Sequence, residues 1–351
     1  MTTIQPTYKS NNDVSLGIII VSHNNQSTLK KLLATLNKQV SEVDFIVVID
    51  NHIDHKSVSV AEQFSCVNKI IKTHNNGFAA GCNLGAKSLP KNITHILLLN
   101  PDTMPGKKSI EGFRSIANNW NASMGLLLLS EKKINSAGNA VHISGLSWCN
   151  EFNTPTALLK YPESIFIASG ACMLIEKILW DNIGGMYEEY FLYYEDTDLS
   201  TRIILNGQNI GLEPSIHIYH DYDYKKSDLK WFYLERNRYI YILRCWPISV
   251  ILLLLPLLIC VDAGLWVVSV FERRFILKVR STGSFLRALP RALKSRRAVQ
   301  KKKAISSYDF FIHLEPQINT AQLGDLSKFT IINKISVAYC LVVRKLYILF
   351  K

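Results

Sequence analysis

Along the first hundred residues, short apolar runs rich in β-branched side chains alternate with stretches whose leucines recur at helical spacing. Leu16–Ser22 (LGIIIVS) reads as a buried strand, and Leu29, Leu32, Leu33 and Leu36 then fall at i, i+3, i+4 and i+7. That is one face of a helix, capped near Asn24 or Asn25. Residues 44–50 (DFIVVID), Val67–Lys72 and residues 94–99 (THILLL) predict the second, third and fourth strands. Strands alternating with helices predict an α/β domain around a largely parallel sheet. Polar or acidic residues stand just past these strands: His23 and Asn24, Asp50 and Asn51, Asn100 and Asp102. In open α/β sheets the ligand site lies outside the carboxyl ends of the strands.

The second half is patterned differently. Residues 165–175 (IFIASGACMLI) predict a strand, followed by a short helix near Lys177, a break at Gly184-Gly185 and a helix over 195–206. Two short strands around Pro214 and an aromatic-rich helix over 229–246 come next. Ile248–Phe271 is the most apolar stretch, and residues 331–350 are apolar enough for an amphipathic or core helix. No internal repeat is present. The expected division is a polar extension over 1–14, an α/β domain over 15–246, an apolar and basic region over 247–303, and a helical tail over 304–351.

Composition narrows the class. Of 351 residues, 48% are hydrophobic and 19% charged, which excludes a disordered chain. Seven scattered cysteines, none spaced as CxxC, fit free thiols in a reducing compartment. The first thirteen residues hold no apolar run of signal-peptide length, which points away from export. Charge is concentrated: residues 272–303 carry twelve Lys or Arg against one Glu, a local +11 within a chain of +12. Such a block serves nucleic acid or anionic lipid, and its place directly after the apolar stretch favours the membrane surface over nucleic acid.

Ile248–Phe271 is long enough to span a bilayer, but Pro256 and Asp262 interrupt it, and the basic block after it prefers the cytosol. The expectation is a helix pair broken at Pro256 that lies in the interface or re-enters, holding the protein at the cytoplasmic face as a peripheral or monotopic protein.

Three places carry candidate chemistry. In Leu97-Leu98-Leu99-Asn100-Pro101-Asp102-Thr103, a carboxylate past a buried strand can reach a divalent cation bridging two phosphates, or can simply end the strand in an Asx turn. Glu195, Asp196 and Asp198 put three acids at a helix start, behind the aromatic run Tyr190–Tyr194. Capping accounts for some of them, and mutual elevation of their pKa values suits a general base. His220 ends a strand-like run, where an imidazole ligates metal or is a structural residue.

Taken together and in this order, these pieces resemble family 2 glycosyltransferases of GT-A fold, in the bacterial rhamnosyltransferase-like branch. The resemblance spans roughly residues 16–246. It rests on IIIVSHNN, VVIDN, the NNGFAAGCNLG run from Asn75, LLLNPDT, SGACMLI from Ser169, GGMYEEYFLYYEDTDLSTRI from Gly184, PSIHIYH from Pro214 and LERN from Leu234.

The resemblance implies an inverting transfer of a sugar, most readily L-rhamnose from dTDP-L-rhamnose, to a hydroxyl of a lipid-linked saccharide in bacterial surface polysaccharide synthesis such as O-antigen. Transfer of another hexose from a UDP-sugar is the alternative, and a non-catalytic membrane scaffold of the same fold is the rival outside enzymes. It implies that Ser22, His23, Asn24 and Asp50 line the nucleotide pocket and that Asn76, Gly77, Phe78 and Asn83 approach the sugar diphosphate. Asn100 and Asp102 match the DxD-type motif, with Asp102 and His220 holding Mg²⁺ or Mn²⁺. Asp196 matches the catalytic base, with Glu195 beside it, and Ser169, Gly170, Tyr194 and Arg236 fall on the acceptor side.

The sequence departs from the family pattern in places. Asn100 stands where the general motif has Asp, His23 where Tyr is common, and His52-Ile53-Asp54-His55 breaks the register expected after Asp50. The absence of a QxxRW segment excludes a processive synthase. Absence of GxGxxG after the first strand excludes a dinucleotide-dependent dehydrogenase.

Overall fold

The computed structural model describes residues 14–160, 164–220, 227–320, 322 and 330–349. The first half runs β1 (Leu16–Ser22), α1 (Gln26–Leu36), β2 (Phe45–Asp50), α2 (Lys56–Ala61), β3 (Val67–Lys72), α3 (Phe78–Lys87), β4 (His95–Leu99), β5 (Thr103–Pro105) and α4 (Ser109–Ile116). There follow β6 (Ala122–Ser130), β7 (Lys133–Ser136), β8 (Asn139–Val141), β9 (Ser147–Cys149), β10 (Cys172–Glu176), α5 (Lys177–Ile183), α6 (Glu195–Leu205) and β11 (Ile210–His220). Helices close the chain: α7 (Asp228–Cys245), α8 (Ile248–Phe271), α9 (Phe275–Lys301), α10 (Ser307–Phe311) and α11 (Thr330–Leu349).

One mixed sheet has the order β3-β2-β1-β4-β10-β6-β11-β5, with β7 added beside β6. β1, β2, β3 and β4 pair in parallel; β1, β2 and β4 are the apolar runs that strands covered on both faces require, while β3 at the sheet edge exposes Asn68, Lys69 and Lys72. All seven residues of β1 are buried, and Leu29, Leu32, Leu33 and Leu36 of α1 are each fully buried against the sheet. Register brings the functional ends together. Ser22 stands opposite Asp50, the amide of Asn51 donates to the Ser22 carbonyl, and that of Thr73 donates to the Asp50 carbonyl. β10 inserts antiparallel between β4 and β6, with Cys172 opposite Leu99. The amide of Asn100 therefore donates to Ala171, and the Ser169-Gly170 turn is carried to the end of β4.

Three expectations give way. The strand expected over 165–175 is only Cys172–Glu176. Ahead of it the Ile165 amide donates to the Ile210 carbonyl and the Ile167 carbonyl accepts the Asn139 amide as isolated bridges, the amide of Ala168 donates to Ser200 Oγ, and the chain turns from Ser169 to Cys172, so no continuous ladder forms. The two strands around Pro214 are one strand, β11, whose register slips between Glu213 and His217, where proline has no N–H to give. The third correction is α8, which is a single helix carried through Pro256 and not a broken pair. Proline removes one hydrogen bond, and the carbonyl it leaves belongs to Leu252, on an exposed turn.

Asp262 in that helix faces inward. Its carboxylate meets Tyr239 and Arg238 of α7 and lies 3.0 Å from Lys278 Nζ of α9. Lys278 is fully buried and also pairs with Glu235 of α7. α7 to α10 thereby share a core, built on Tyr241, Trp246, Leu254, Ala292 and Phe310, with the loop that precedes α6.

Candidate active site

The residues expected to line a nucleotide pocket lie where β1 and β2 finish. Ser22 is buried with its hydroxyl 2.8 Å from that of Ser57, and His23 is exposed, edge-on to His52 at 4.8 Å between ring centroids. Asn24 is also exposed and holds a left-handed φ of 59°. Asp50 is fully buried: one oxygen accepts the amide of His52 at 3.1 Å and the other that of Ser57 at 2.9 Å. Its carboxylate thus shapes the 51–57 loop.

A cavity of about 370 Å³ opens beside that loop, bordered by Asn51, Thr73, Asn76, Gly77 and Asn83. Gly77 stands at φ 91°, and a Cβ there would lie 2.2 Å from the Phe191 carbonyl oxygen, so no other residue fits. The same carbonyl accepts the amide of Phe78 at 2.8 Å, which stitches the start of α3 to the loop before α6. Asn83 points to that loop as well: its amide donates to the Met186 carbonyl and to Glu188, and its oxygen accepts the Met186 amide. The expected donor-side asparagine is a clamp between two segments of the cleft wall.

The three acids at the start of α6 separate into three environments. Asp196 is partly buried, with Oδ2 accepting the Gly170 amide at 3.0 Å and Oδ1 accepting the Thr197 amide at 2.6 Å. Gly170 is wedged so closely that a Cβ would lie 3.3 Å from both Asp196 Cβ and the Phe78 ring. Burial raises the Asp196 pKa, against the pull of those amides. Glu195 is buried, its Oε2 has no hydrogen-bond partner, and burial together with the neighbouring Asp196 charge pushes its pKa up to about 8. Asp198 goes the other way. Burial pushes its pKa up, but Arg244 and Arg202 outweigh that and hold its carboxyl far below the usual range. The expectation that the three carboxylates raise one another fails at Asp198, because two guanidiniums neutralise it.

At the far end of β4, the Thr103 amide and hydroxyl both donate to the Asn100 backbone carbonyl, so the chain turns there on a backbone acceptor rather than on the side-chain oxygen of an Asx turn. β5 pairs with β11 so that Thr103 stands opposite His220. Asp102 Oδ1 is buried and lies 3.4 Å from His220 Nε2. A carboxylate oxygen and an imidazole nitrogen converging in this way fit a hard divalent cation. Among the described residues no group of three or more His, Cys, Asp or Glu gathers around one point.

Of the residues expected on the acceptor side, Ser169 and Gly170 form the turn under Asp196. Tyr194 is buried and donates to the Gly145 carbonyl at 2.8 Å. Arg236 is buried as well, donating to the carbonyl and carboxylate of Glu189. Both therefore position the wall. Two more residues complete it: Asn237, the last of the LERN segment, whose amide reaches the carbonyls of Tyr190, Leu192 and Tyr193, and Arg244, not foreseen from sequence, which links α7 to Asp198. Arg202, four residues after Asp198 on one helix face, was the only one of these partners with a local signal.

The sequence profile described as Glycosyl transferase family 2 matches residues 17–183. The low-salt glycan biosynthesis hexosyltransferase Agl10 of Haloferax volcanii is 28% identical over 207 residues, which are 56% of this chain and 64% of that protein. Rhamnosyltransferase WbbL of Escherichia coli is 24% identical, over 63% of this chain and 88% of its own. The N-acetylglucosaminyl-diphospho-decaprenol L-rhamnosyltransferase of Mycobacterium tuberculosis is 22% identical, over 58% and 75% respectively. Among solved structures, GalNAc-T7 with UDP, GalNAc and Mn²⁺ superposes with a TM-score of 0.52 at 16% identity, over 66% of this chain and 48% of that one. The chain thus spans about two thirds of the haloarchaeal relative and about half of GalNAc-T7.

Proposed function

The chain carries a glycosyl transferase family 2 domain of GT-A fold, and from that premise we propose that it is an inverting transferase moving L-rhamnose from dTDP-L-rhamnose to a hydroxyl of a lipid-linked saccharide, at the cytoplasmic face of a membrane. The observation that carries the chemistry is Asp196. Its carboxylate is fixed by two backbone amides beside Gly170 and Phe78, and burial raises its proton affinity. Glu195 next to it, its pKa pushed up to about 8, adds little competing charge at neutral pH.

An acceptor hydroxyl is a poor nucleophile. As its oxygen bonds to the anomeric carbon, Asp196 takes its proton and the bond from that carbon to the diphosphate oxygen breaks on the opposite face, which inverts the anomeric centre. Asp102 and His220 would hold Mg²⁺ or Mn²⁺, which when bound neutralises charge on the departing diphosphate. Phe78, fixed to Phe191, and the cavity beside Gly77 position the donor so that the reacting atoms meet in line.

Two relatives are rhamnosyltransferases by name, one with a diphospho-decaprenol acceptor, and they support the donor and the lipid-linked acceptor. The haloarchaeal hexosyltransferase favours a second reading, in which the donor is another nucleotide-linked hexose. Transfer from dTDP-L-rhamnose and from UDP-hexoses to a polyprenyl-diphosphate saccharide separates the two. In the productive pair, Asp196→Asn should keep donor affinity and lower turnover by roughly 10²–10⁴. Near-normal turnover by a folded Asp196→Asn would remove Asp196 from the chemistry.

A further inference from the structure

The outward face of the closing helices has no role in the cleft. α8 exposes Ile248, Leu252, Ile259, Val267 and Val270 at between 56% and 61% each. Only 17% of its most apolar window is buried. α9 continues that face with Val279, Leu286 and Leu293, seven residues apart and all exposed. Each is followed by an exposed base: Arg280, Arg287 and Lys294.

The path of the helices fixes how such a face can meet lipid. α9 runs alongside α7 in the same direction. Arg274 lies 3.4 Å from Asp228 at the start of α7, Lys278 pairs with Glu235, Arg296 donates to the carbonyls of Leu243 and Trp246, and Gln300 donates to that of Cys245. α8 leaves from the end of α7 and finishes where α9 begins, so it runs back over both. Its inward Asp262 ties it to the two of them midway. Were α8 to cross a bilayer, α7 and the basic α9 would enter hydrocarbon with it, at about 2.5 kcal/mol or more for each charge near the centre.

We infer that α8 and α9 form an in-plane docking face for an anionic lipid surface, with α8 lying along the interface rather than through it. Apolar side chains on α8 and α9 enter the acyl boundary, while the bases at 280, 287 and 294 reach phosphate-bearing headgroups beside them. The inference rests on the membrane location proposed above and is independent of the sugar chemistry.

Depth measurements test it on the full chain. Cys260 is a natural exposed thiol on α8. A fluorescent label at Cys260, and in turn at Ile248→Cys and Val270→Cys with Cys260→Ser, is read in vesicles of phosphatidylglycerol and phosphatidylcholine with quenchers at graded acyl depth. The half-buried Cys66 and Cys149 are replaced by Ser. All three labels should sit at one shallow depth, about 5–10 Å below the headgroups. Binding should weaken at least about tenfold in Arg280→Glu/Arg287→Glu/Lys294→Glu or in vesicles of phosphatidylcholine alone. A central label deeper than both ends would establish a span and overturn the inference. So would labels shielded by concentration-dependent self-association without vesicle binding, which would assign the face to a second copy. Donor hydrolysis in the same samples reports on the catalytic reading separately.

Discussion

Asp198→Ala should unfold this protein more readily than any other change among the three acids, without touching the reacting atoms. The carboxylate is fully buried. Oδ1 accepts Arg202 Nε at 2.6 Å, and Oδ2 accepts Arg244, the Tyr190 hydroxyl at 2.9 Å and the Cys245 thiol at 3.0 Å. Removing it leaves two guanidiniums, 5% and 8% exposed, with no counter-charge. Breaking one buried pair from one side costs about 3–5 kcal/mol. The loss should stay in that range rather than double, because Arg202 keeps the carbonyls of Ile183 and Gly185 and Arg244 keeps Ser295.

Against a typical total of about 5–15 kcal/mol this is a large share. Urea unfolding followed by the fluorescence of buried Trp180 and Trp246 measures it, and a double-mutant cycle with Arg244→Ala should return a coupling of about 1–3 kcal/mol. The folded pKa of Asp198 is depressed, so its contribution is fully present above the unfolded value of about 3.9 and is lost as pH falls below that. The variant's deficit should therefore be flat from pH 5 to 8. A loss under about 1 kcal/mol, joined to a collapse of turnover in folded protein, would refute the assignment and move Asp198 to the chemistry.

Glu195→Gln should show the opposite pH behaviour. Because the folded pKa is raised to about 8, the wild-type stability is greatest below the unfolded value of about 4.3 and falls as pH rises towards 8, so the variant should gain on it by on the order of a few kcal/mol across that window, read from urea midpoints at pH 5 and pH 8. A difference that does not change with pH would mean that Glu195 is ionised in the folded protein. Asp102→Ala should weaken intact donor far more than free nucleoside in calorimetric titrations with Mg²⁺ or Mn²⁺, and chelation should abolish transfer; activity that survives exhaustive chelation would dismiss the metal reading.

The parallel part of the sheet was legible because β1, β2 and β4 are apolar, largely β-branched or leucine runs and the first helix has one leucine face. The turn at Ser169-Gly170 was not, since Ile165, Phe166, Ile167 and Ala168 have strand-like composition, and only distant partners, the Ile210 carbonyl, the Asn139 amide and the Ser200 hydroxyl, show that the backbone is satisfied without a continuous ladder. Motif order picked out the acids, yet sequence alone could not sort them. What distinguishes Asp198 from Asp196 is Arg244, on another helix and 46 positions away. Asn83 illustrates the same limit. An amide on the first helical turns near a cleft can face the ligand or the opposite wall, and only the Met186 backbone decides that it faces the wall.

The loop ahead of Asp196 explains why the helices beyond the α/β part belong to the active site. Phe191, Tyr193 and Tyr194 all stand at left-handed φ, 64°, 67° and 71°. Each such non-glycine residue costs about 1–3 kcal/mol and persists only where surrounding contacts determine it. Here they are identifiable. Asn237 holds three carbonyls of the loop, Phe78 holds that of Phe191, and the hydroxyls of Tyr190 and Tyr194 are anchored on Asp198 and Gly145. The reversal they enforce starts α6 at the floor of the cleft, so Asp196 meets the Gly170 amide without a search. Asn237 rides on α7, which also carries Glu235 and Arg238, the partners of Lys278 and Asp262 on α9 and α8, the helices of the proposed docking face. One helix thus fixes both the base and the docking face. The position of Asp196 relative to that proposed face is then set by side-chain contacts along α7, as the proposed lipid-anchored acceptor would require.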